Sequence, residues 1–380
     1  MTNRTVLLAS NYNVWREPFN GQSHSMLDVI KDVEQADLLV PGGADYMAGQ
    51  GVRPSLGYLL GETHHRLLSA ARARFGAATL TNMKPTTIDQ YYDLFFYVCQ
   101  FPQELSALRS MHGWRRNCGK AVCYVLETWS ATLPSMAANL RLLDQFDHVF
   151  VLNTESIPML KRYTSTPISH LATAADCLKA HPGTRSPARS IDVYSFGRRS
   201  DAVHRQLLAH AGKAPDFSYV YDAIKGGTIC DWSEHRALTS SQMKRTRYFM
   251  AFNPPDVGGG CAAGPRAEQA LSTRYFEGAA GGAVMLGTKP PILEFDENFN
   301  WEDALIEISP DGDALKIIEQ LDSQPERLAR ASRRNVVESL SRHDWAHRWR
   351  TILSVIGEAE TPALTERIDA LKALAVNELA

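Results

Sequence analysis

The residues best placed to do chemistry share one stretch of chain. A glycine-rich run over 258–264 leads to Ser272-Thr-Arg-Tyr-Phe-Glu277, and small residues fill 278–282. Ser272 and Thr273 suit the start of a helix, with Glu277 about one turn further on. The first N–H groups of a helix lack partners inside it and its dipole is positive there, so such a start can seat a diphosphate. The two hydroxyls can add hydrogen bonds, and a carboxylate one turn deeper can accept from both hydroxyls of a ribose. The small residues from Gly278 to Gly282 would let this helix press on a neighbouring strand. A plainer account also fits, in which the glycines only turn the chain and Glu277 only complements the helix dipole.

Other candidates are more dispersed. In Tyr194-Ser-Phe-Gly-Arg-Arg199 a strand ends in Gly197, which lets backbone approach a phosphate, and Arg198 can bind two of its oxygens; a surface turn with solvated arginines is the alternative. Lys244, Arg245 and Arg247 can also reach phosphates, or simply solvate a helix end. Asp311-Gly-Asp313 has an Asp-x-Asp form, but it follows Ser309-Pro310 and precedes a helical pattern, so capping explains it better than metal ligation. No metal site is expected. In the first half, Glu127 follows an apolar strand and is the first candidate for a base that activates an acceptor; pairing with an arginine or capping a helix is its alternative. The polar, aromatic loop 11–25 offers Tyr12 and Trp15 for stacking and His24 for proton transfer, or His24 is a simple loop residue. His343-Asp-Trp-Ala-His-Arg348 is expected to lock the closing helix and is assigned no chemistry.

These residues need elements that bring them together. Short apolar runs alternate with helical periods, the pattern of parallel sheets covered by helices. Strands are expected near 5–10, 36–40, 77–81, 93–99, 121–127, 148–153 and 168–172, with helices such as 23–35, 56–75 and 135–146 between them. Two prolines and a glycine within 180–190 mark a linker. Alternation restarts with strands near 191–196, 217–221, 247–252, 283–286 and 292–294, and from 325 the chain reads as helix. In 361–379, Leu364, Ile368, Leu371 and Ala375 form one stripe, suited to packing on the protein's own body, with dimerisation or peripheral membrane contact as the other uses. The expectation is therefore two doubly wound Rossmann-like α/β domains facing a central cleft, where open parallel sheets bind ligands beyond the carboxyl ends of their strands.

Composition narrows the partners. With 380 residues, two cores can form, and a formal net charge of -2 without a basic field argues against gripping nucleic acid or an anionic membrane. Six scattered cysteines form no C-x-x-C pair, and no window is apolar enough to span a membrane or act as a leader, so a cytoplasmic location is expected.

The run LSTRYFEGAAGGAVMLGTKPP, with the following FDENFNWEDALIEISPDGDALKIIEQLDSQPERLARASRRNVVESLSRHDWAHRWRTIL, resembles the C-terminal domain of GT-B glycosyltransferases, especially a bacterial branch similar to spore-maturation glycosyltransferases. Residues 191 to about 354 follow that family's order of elements, and the first half matches in organisation only. The resemblance implies an acceptor-side domain over 1–180, a nucleotide-sugar donor domain over 191–345 and C-terminal helices over 346–380. It implies that Glu277 grips the donor ribose, that Arg274 to Gly282 shape the diphosphate pocket and that Gly197 and Arg198 face the diphosphate, which Ser272 and Thr273 are expected to hold together with Arg198. The implied reaction moves a sugar from a nucleoside diphosphate, UDP-hexose foremost, to a hydroxyl of a glycan, lipid, protein or small molecule, with neither cofactor nor metal. Many retaining members carry two glutamates seven residues apart, whereas Gln269 stands eight before Glu277, with Glu268 beside it. The contact to the donor sugar thus falls to Glu268, to the Gln269 amide, or to neither. A nucleotide-sugar epimerase of the same fold and a non-catalytic sugar-nucleotide-binding module remain as alternatives, and transfer to DNA bases is disfavoured by the neutral charge.

Overall fold

The computed structural model describes residues 4–41, 71, 85–183, 188–223, 228–257 and 268–379, and of Trp15 the backbone alone. The expected strand 77–81, nearly all of the helix 56–75, the glycine-rich run 258–264 with Cys261, and the middle of the expected linker lie outside them.

The chain divides into two compact units, Met1–Leu171 and Ala172–Ala380. In the first, β1 (Thr5–Ser10), β2 (Gln35–Leu39), β3 (Tyr92–Cys99), β4 (Cys118–Val125), β5 (His148–Val151) and β6 (Ile168–His170) pair in the order β2-β1-β3-β4-β5-β6, all parallel. Strands of a parallel sheet covered on both faces need continuous apolar sequence, and β3 supplies it: every residue from Leu94 to Cys99 is fully buried. Helix α1 (Gly21–Val33) makes the crossover from β1 to β2. The helix expected over 135–146 is instead three short pieces, Leu133–Met136, Ala137–Leu140 and Arg141–Gln145, with Pro134 second in the first of them and Leu133, Leu140 and Leu143 buried in the core.

In the second unit, β7 (Ile191–Ser195), β8 (Tyr219–Tyr221), β9 (Thr246–Ala251), β10 (Val284–Gly287) and β11 (Ile306–Glu307) pair in the order β8-β7-β9-β10-β11, again all parallel. Between them run α2 (Asp201–Ala211), α3 (Trp232–Lys244) and α4 (Thr273–Ala280), and the unit closes with α5 (Ala314–Asp322), α6 (Pro325–Arg342), α7 (Trp345–Val355) and α8 (Pro362–Leu379). The fold class is therefore as the sequence indicates, two doubly wound parallel α/β sheets followed by helices. One strand is corrected. Residues 292–294 open a helix, Leu293–Asn298, because Glu294 and Asp296 suit its first turn and Phe295 and Phe299, four apart, both pack on Tyr275. The fifth strand is β11, paired with Leu286 and Gly287.

The division at Ala172 lies ahead of the linker expected over 180–190, and hydrogen bonds explain why. Ala175 forms a bridge to Asp344, Asp344 accepts from the Cys177 N–H at 2.8 Å, and Arg348 donates to the carbonyls of Ala172 and Thr173. Arg367 of α8 pairs with Asp176 at 2.8 Å and Asp344 at 3.0 Å, in a site where all three side chains are at most a tenth exposed. His343, which burial pushes well below the usual histidine range, stays neutral and donates through Nε2 to the Asn298 carbonyl at 2.8 Å. The His343–Arg348 motif thus ties 172–177 to the closing helices, and α8 buries Leu364, Ile368, Leu371 and Ala375. No described helix is long and apolar enough to cross a membrane. Cys99, Cys118, Cys123 and Cys177 are buried free thiols, and Cys230 is an exposed one.

Candidate functional site

In each sheet the chain leaves the first strand toward one edge and returns on the other side of it. The carboxyl ends that flank this reversal, β7 and β9 in the second unit and β1 and β3 in the first, are where open α/β sheets form a ligand crevice.

In the second unit the first turn of α4 abuts both of those ends. Arg274 reaches across them, donating to the Arg198 carbonyl after β7 at 2.7 Å and to the Phe252 carbonyl after β9 at 3.4 Å. It is 7% exposed, and its Nε is buried without a hydrogen-bond partner. Burial pushes its pKa below the usual arginine value, since desolvation disfavours the cation. Among the described residues no carboxylate lies within ion-pair distance of it. A desolvated guanidinium on which Glu277 and Asp222 act only from beyond ion-pair distance is a costly arrangement unless an anion completes it. Helix α4 comes this close because Gly278 has no side chain: a Cβ there would stand 2.7 Å from the Phe249 ring.

Gly197 adopts a φ of 69°, and a Cβ there would lie 3.2 Å from the Arg274 guanidinium. Its N–H donates to Asp222 Oδ2 at 2.7 Å, so that donor is already taken by a carboxylate just after β8. Arg198 is exposed and meets Arg274 only through its carbonyl. Ser272 is the N-cap of α4, but its hydroxyl makes no capping bond. The Thr273 hydroxyl lies 3.3 Å from that of Thr173. Gln269 accepts at its amide oxygen from Asn253 Nδ2 at 2.9 Å, beyond the end of β9, and Glu268 beside it is half-buried.

Glu277 is 8% exposed, and its Oε1 accepts from Arg236 of α3. The Tyr194 hydroxyl nearby is held protonated, its pKa raised by burial and then by the charges of Asp222 and Glu277. His235 is pushed below its usual value by burial and then by Arg236. Arg236 and Asp222 escape the sequence reading, because neither belongs to a recognisable run and Arg236 meets Glu277 from 41 residues away. The three basic residues 244, 245 and 247 had been open as phosphate ligands; Arg247 is not one. It pairs with Asp192 at 2.7 Å and Asp322 at 2.5 Å at the amino end of the sheet, beside the Thr246–Ile191 register pair.

Asp313 accepts from the Lys316 N–H at 3.0 Å as the N-cap of α5. Asp313→Ala should lower stability by about 1 kcal/mol in urea unfolding, with or without divalent cation; a loss seen only with metal present would mean ligation instead. Among the described residues there is no cluster of three or more potential ligands from histidine, cysteine, aspartate and glutamate.

In the first unit, Glu127 lies two residues beyond β4, half-buried, with Oε1 accepting from Gln100 Nε2 at 2.7 Å and Oε2 from the Trp129 indole at 3.2 Å. Gln100 also donates its backbone N–H to Glu104 at 3.3 Å. Glu104, unremarkable in sequence, is 2% exposed, and burial pushes its pKa up to about 8, with Glu127 adding to the rise. Asn11, 1% exposed after β1, donates to the Tyr97 hydroxyl and leaves its own Oδ1 without a partner. His24 is not in a loop but in the first turn of α1, edge-on to Tyr12 at 5.5 Å. Tyr12 is 4% exposed, too buried to offer a stacking face.

Two parallel doubly wound sheets with closing helices are the architecture of the GT-B fold, and solved structures agree. Anabaena HepE in complex with UDP-glucose is similar over 93% of this chain and 100% of its own, at 13% identity and a TM-score of 0.51. An alpha-glucosyltransferase in complex with UDP and a 13-mer DNA containing a HMU base is similar over 94% and 100%, at 11% identity and a TM-score of 0.54. No curated protein matches at the level of sequence. Residues 198–354 match the model of the glycosyl transferase-like family, and the fold of the whole chain is that of the GT-B structures.

Proposed function

We propose that this protein transfers the hexose of a UDP-hexose to a hydroxyl acceptor, releasing UDP, without a metal ion. The observation that carries the reading is Arg274, a buried guanidinium lacking a carboxylate partner among the described residues, at the chain reversal of the second sheet and in the first turn of a helix. A diphosphate supplies the anion that this seat lacks, and the N–H groups of the α4 first turn with the Ser272 hydroxyl add donors. The solved neighbours carry UDP or UDP-glucose, which suits a site of this charge.

As the glycosidic bond breaks, negative charge grows on the departing diphosphate. Arg274 and the helix terminus are already oriented there, so they stabilise it without reorganisation, the task a metal performs in other enzymes. Glu277 accepts from the ribose hydroxyls. Gln269, its oxygen turned to Asn253, takes no part as a carboxylate would. Glu127 is the acceptor-side base of this reading, its two oxygens oriented by Gln100 and Trp129.

Titration with UDP tests the reading. At about 100 times its dissociation constant, UDP should stabilise the protein by about 2.7 kcal/mol, a rise of a few degrees in Tm. UDP-glucose should release UDP slowly in water and faster with acceptor, and Glu277→Ala should suppress both the shift and the release. Absence of any UDP shift in the wild-type protein sinks the proposal, while binding without release assigns a sugar-nucleotide-binding module.

A further inference from the structure

Arg236 stands in none of the motifs read from the sequence, yet it is the one ion-pair partner that Glu277 has among the described residues. The two side chains are 13% and 10% exposed, so the contact is largely desolvated. It joins α3 to α4 beside the crevice where Tyr194, Asp222 and Gly197 also converge. A carboxylate has about four acceptor positions on two oxygens. Arg236 donates to Oε1 alone, which holds that oxygen and leaves Oε2 without a described donor.

We propose that Arg236 is the positioning residue that prepares Glu277 to recognise a ribose diol, making the pair the determinant that favours a ribonucleotide over a 2′-deoxyribonucleotide. The proposal rests on the donor-site reading above. Without Arg236 the carboxylate would be buried without its counter-charge and free to rotate, so its bond to a 2′-hydroxyl would weaken while the diphosphate contacts of Arg274 stayed in place. A mere strut between α3 and α4 would behave differently: its loss would loosen the whole site and weaken every nucleotide alike.

Isothermal titration with UDP and 2′-deoxy-UDP separates these cases. The wild-type protein should prefer UDP by about tenfold or more, the discrimination expected of a hydrogen bond to a charged acceptor. In Arg236→Gln the preference should fall to about threefold or less, with 2′-deoxy-UDP affinity little changed. Arg236→Lys keeps the charge but not the planar fork, and should give an intermediate preference; it serves alone if the glutamine variant does not fold. A preference as large as that of the wild type in either folded variant overturns the proposal. Wild-type protein that binds neither nucleotide overturns the donor-site reading and this inference together, whereas UDP binding with an unaltered preference overturns this inference only.

Discussion

Arg274→Met is expected to weaken UDP binding by about 100-fold or more while leaving the unliganded protein within about 2 kcal/mol of its original stability. The two effects separate because the guanidinium serves the folded chain and the ligand unequally. In the folded chain it makes hydrogen bonds to the carbonyls of Arg198 and Phe252, worth about 1–3 kcal/mol if left unmade, against which stands the cost of holding a desolvated charge. Methionine relieves the second as it forfeits the first. With a diphosphate bound, the same cation faces two anionic groups in a crevice poor in water, and its removal is uncompensated. Lysine at this position should recover part of the affinity, since it restores a point charge without the fork. Urea unfolding and calorimetric titration give the two numbers, and a methionine variant that binds UDP as the wild type does would show that the diphosphate sits elsewhere.

Glu104→Gln is expected to change how stability depends on pH. Burial holds the Glu104 carboxyl protonated until about pH 8, whereas in the unfolded chain it ionises near 4.5. Between those values the unfolded state binds fewer protons than the folded one, so stability falls as pH rises through the window and levels off above about 8. The full span corresponds to up to about 5 kcal/mol. An amide keeps the oxygen that accepts from the Gln100 N–H and does not ionise, so the variant should lose this decline. Melting temperatures at pH 5, 6.5 and 8 should therefore diverge, the variant becoming the more stable toward pH 8. Parallel curves for the two proteins would mean that Glu104 ionises normally.

What the sequence disclosed and what it withheld follow from the range of the interactions concerned. Helix α4 was legible because its signals are local: a hydroxyl pair at the start, a carboxylate one turn on, small residues where it meets Phe249. The strands were legible because burial on both faces demands uninterrupted apolar runs. Residues 292–294 misled because Ile-Leu-Glu suits a strand, and only the packing of Phe295 and Phe299 on Tyr275 decides for a helix. The partner of Glu277 and the acidity of Glu104 were illegible, since both depend on side chains brought together from elsewhere: Arg236 from α3, and Asn11, Gln100 and Glu127 from the ends of three strands. Arg247 misled in the opposite way, as a basic residue near a strand whose sheet end the sequence did not specify.

The anchoring of 172–177 also orders events during synthesis. Cys177 waits 167 residues for Asp344, and Asp176 waits 191 for Arg367. The first unit is complete once Leu171 has left the ribosome, and it can fold as translation continues. In the second, the strap 172–177 gains these partners only after Asp344 and Arg367 have been made, so its buried contacts with the closing helices form late in synthesis.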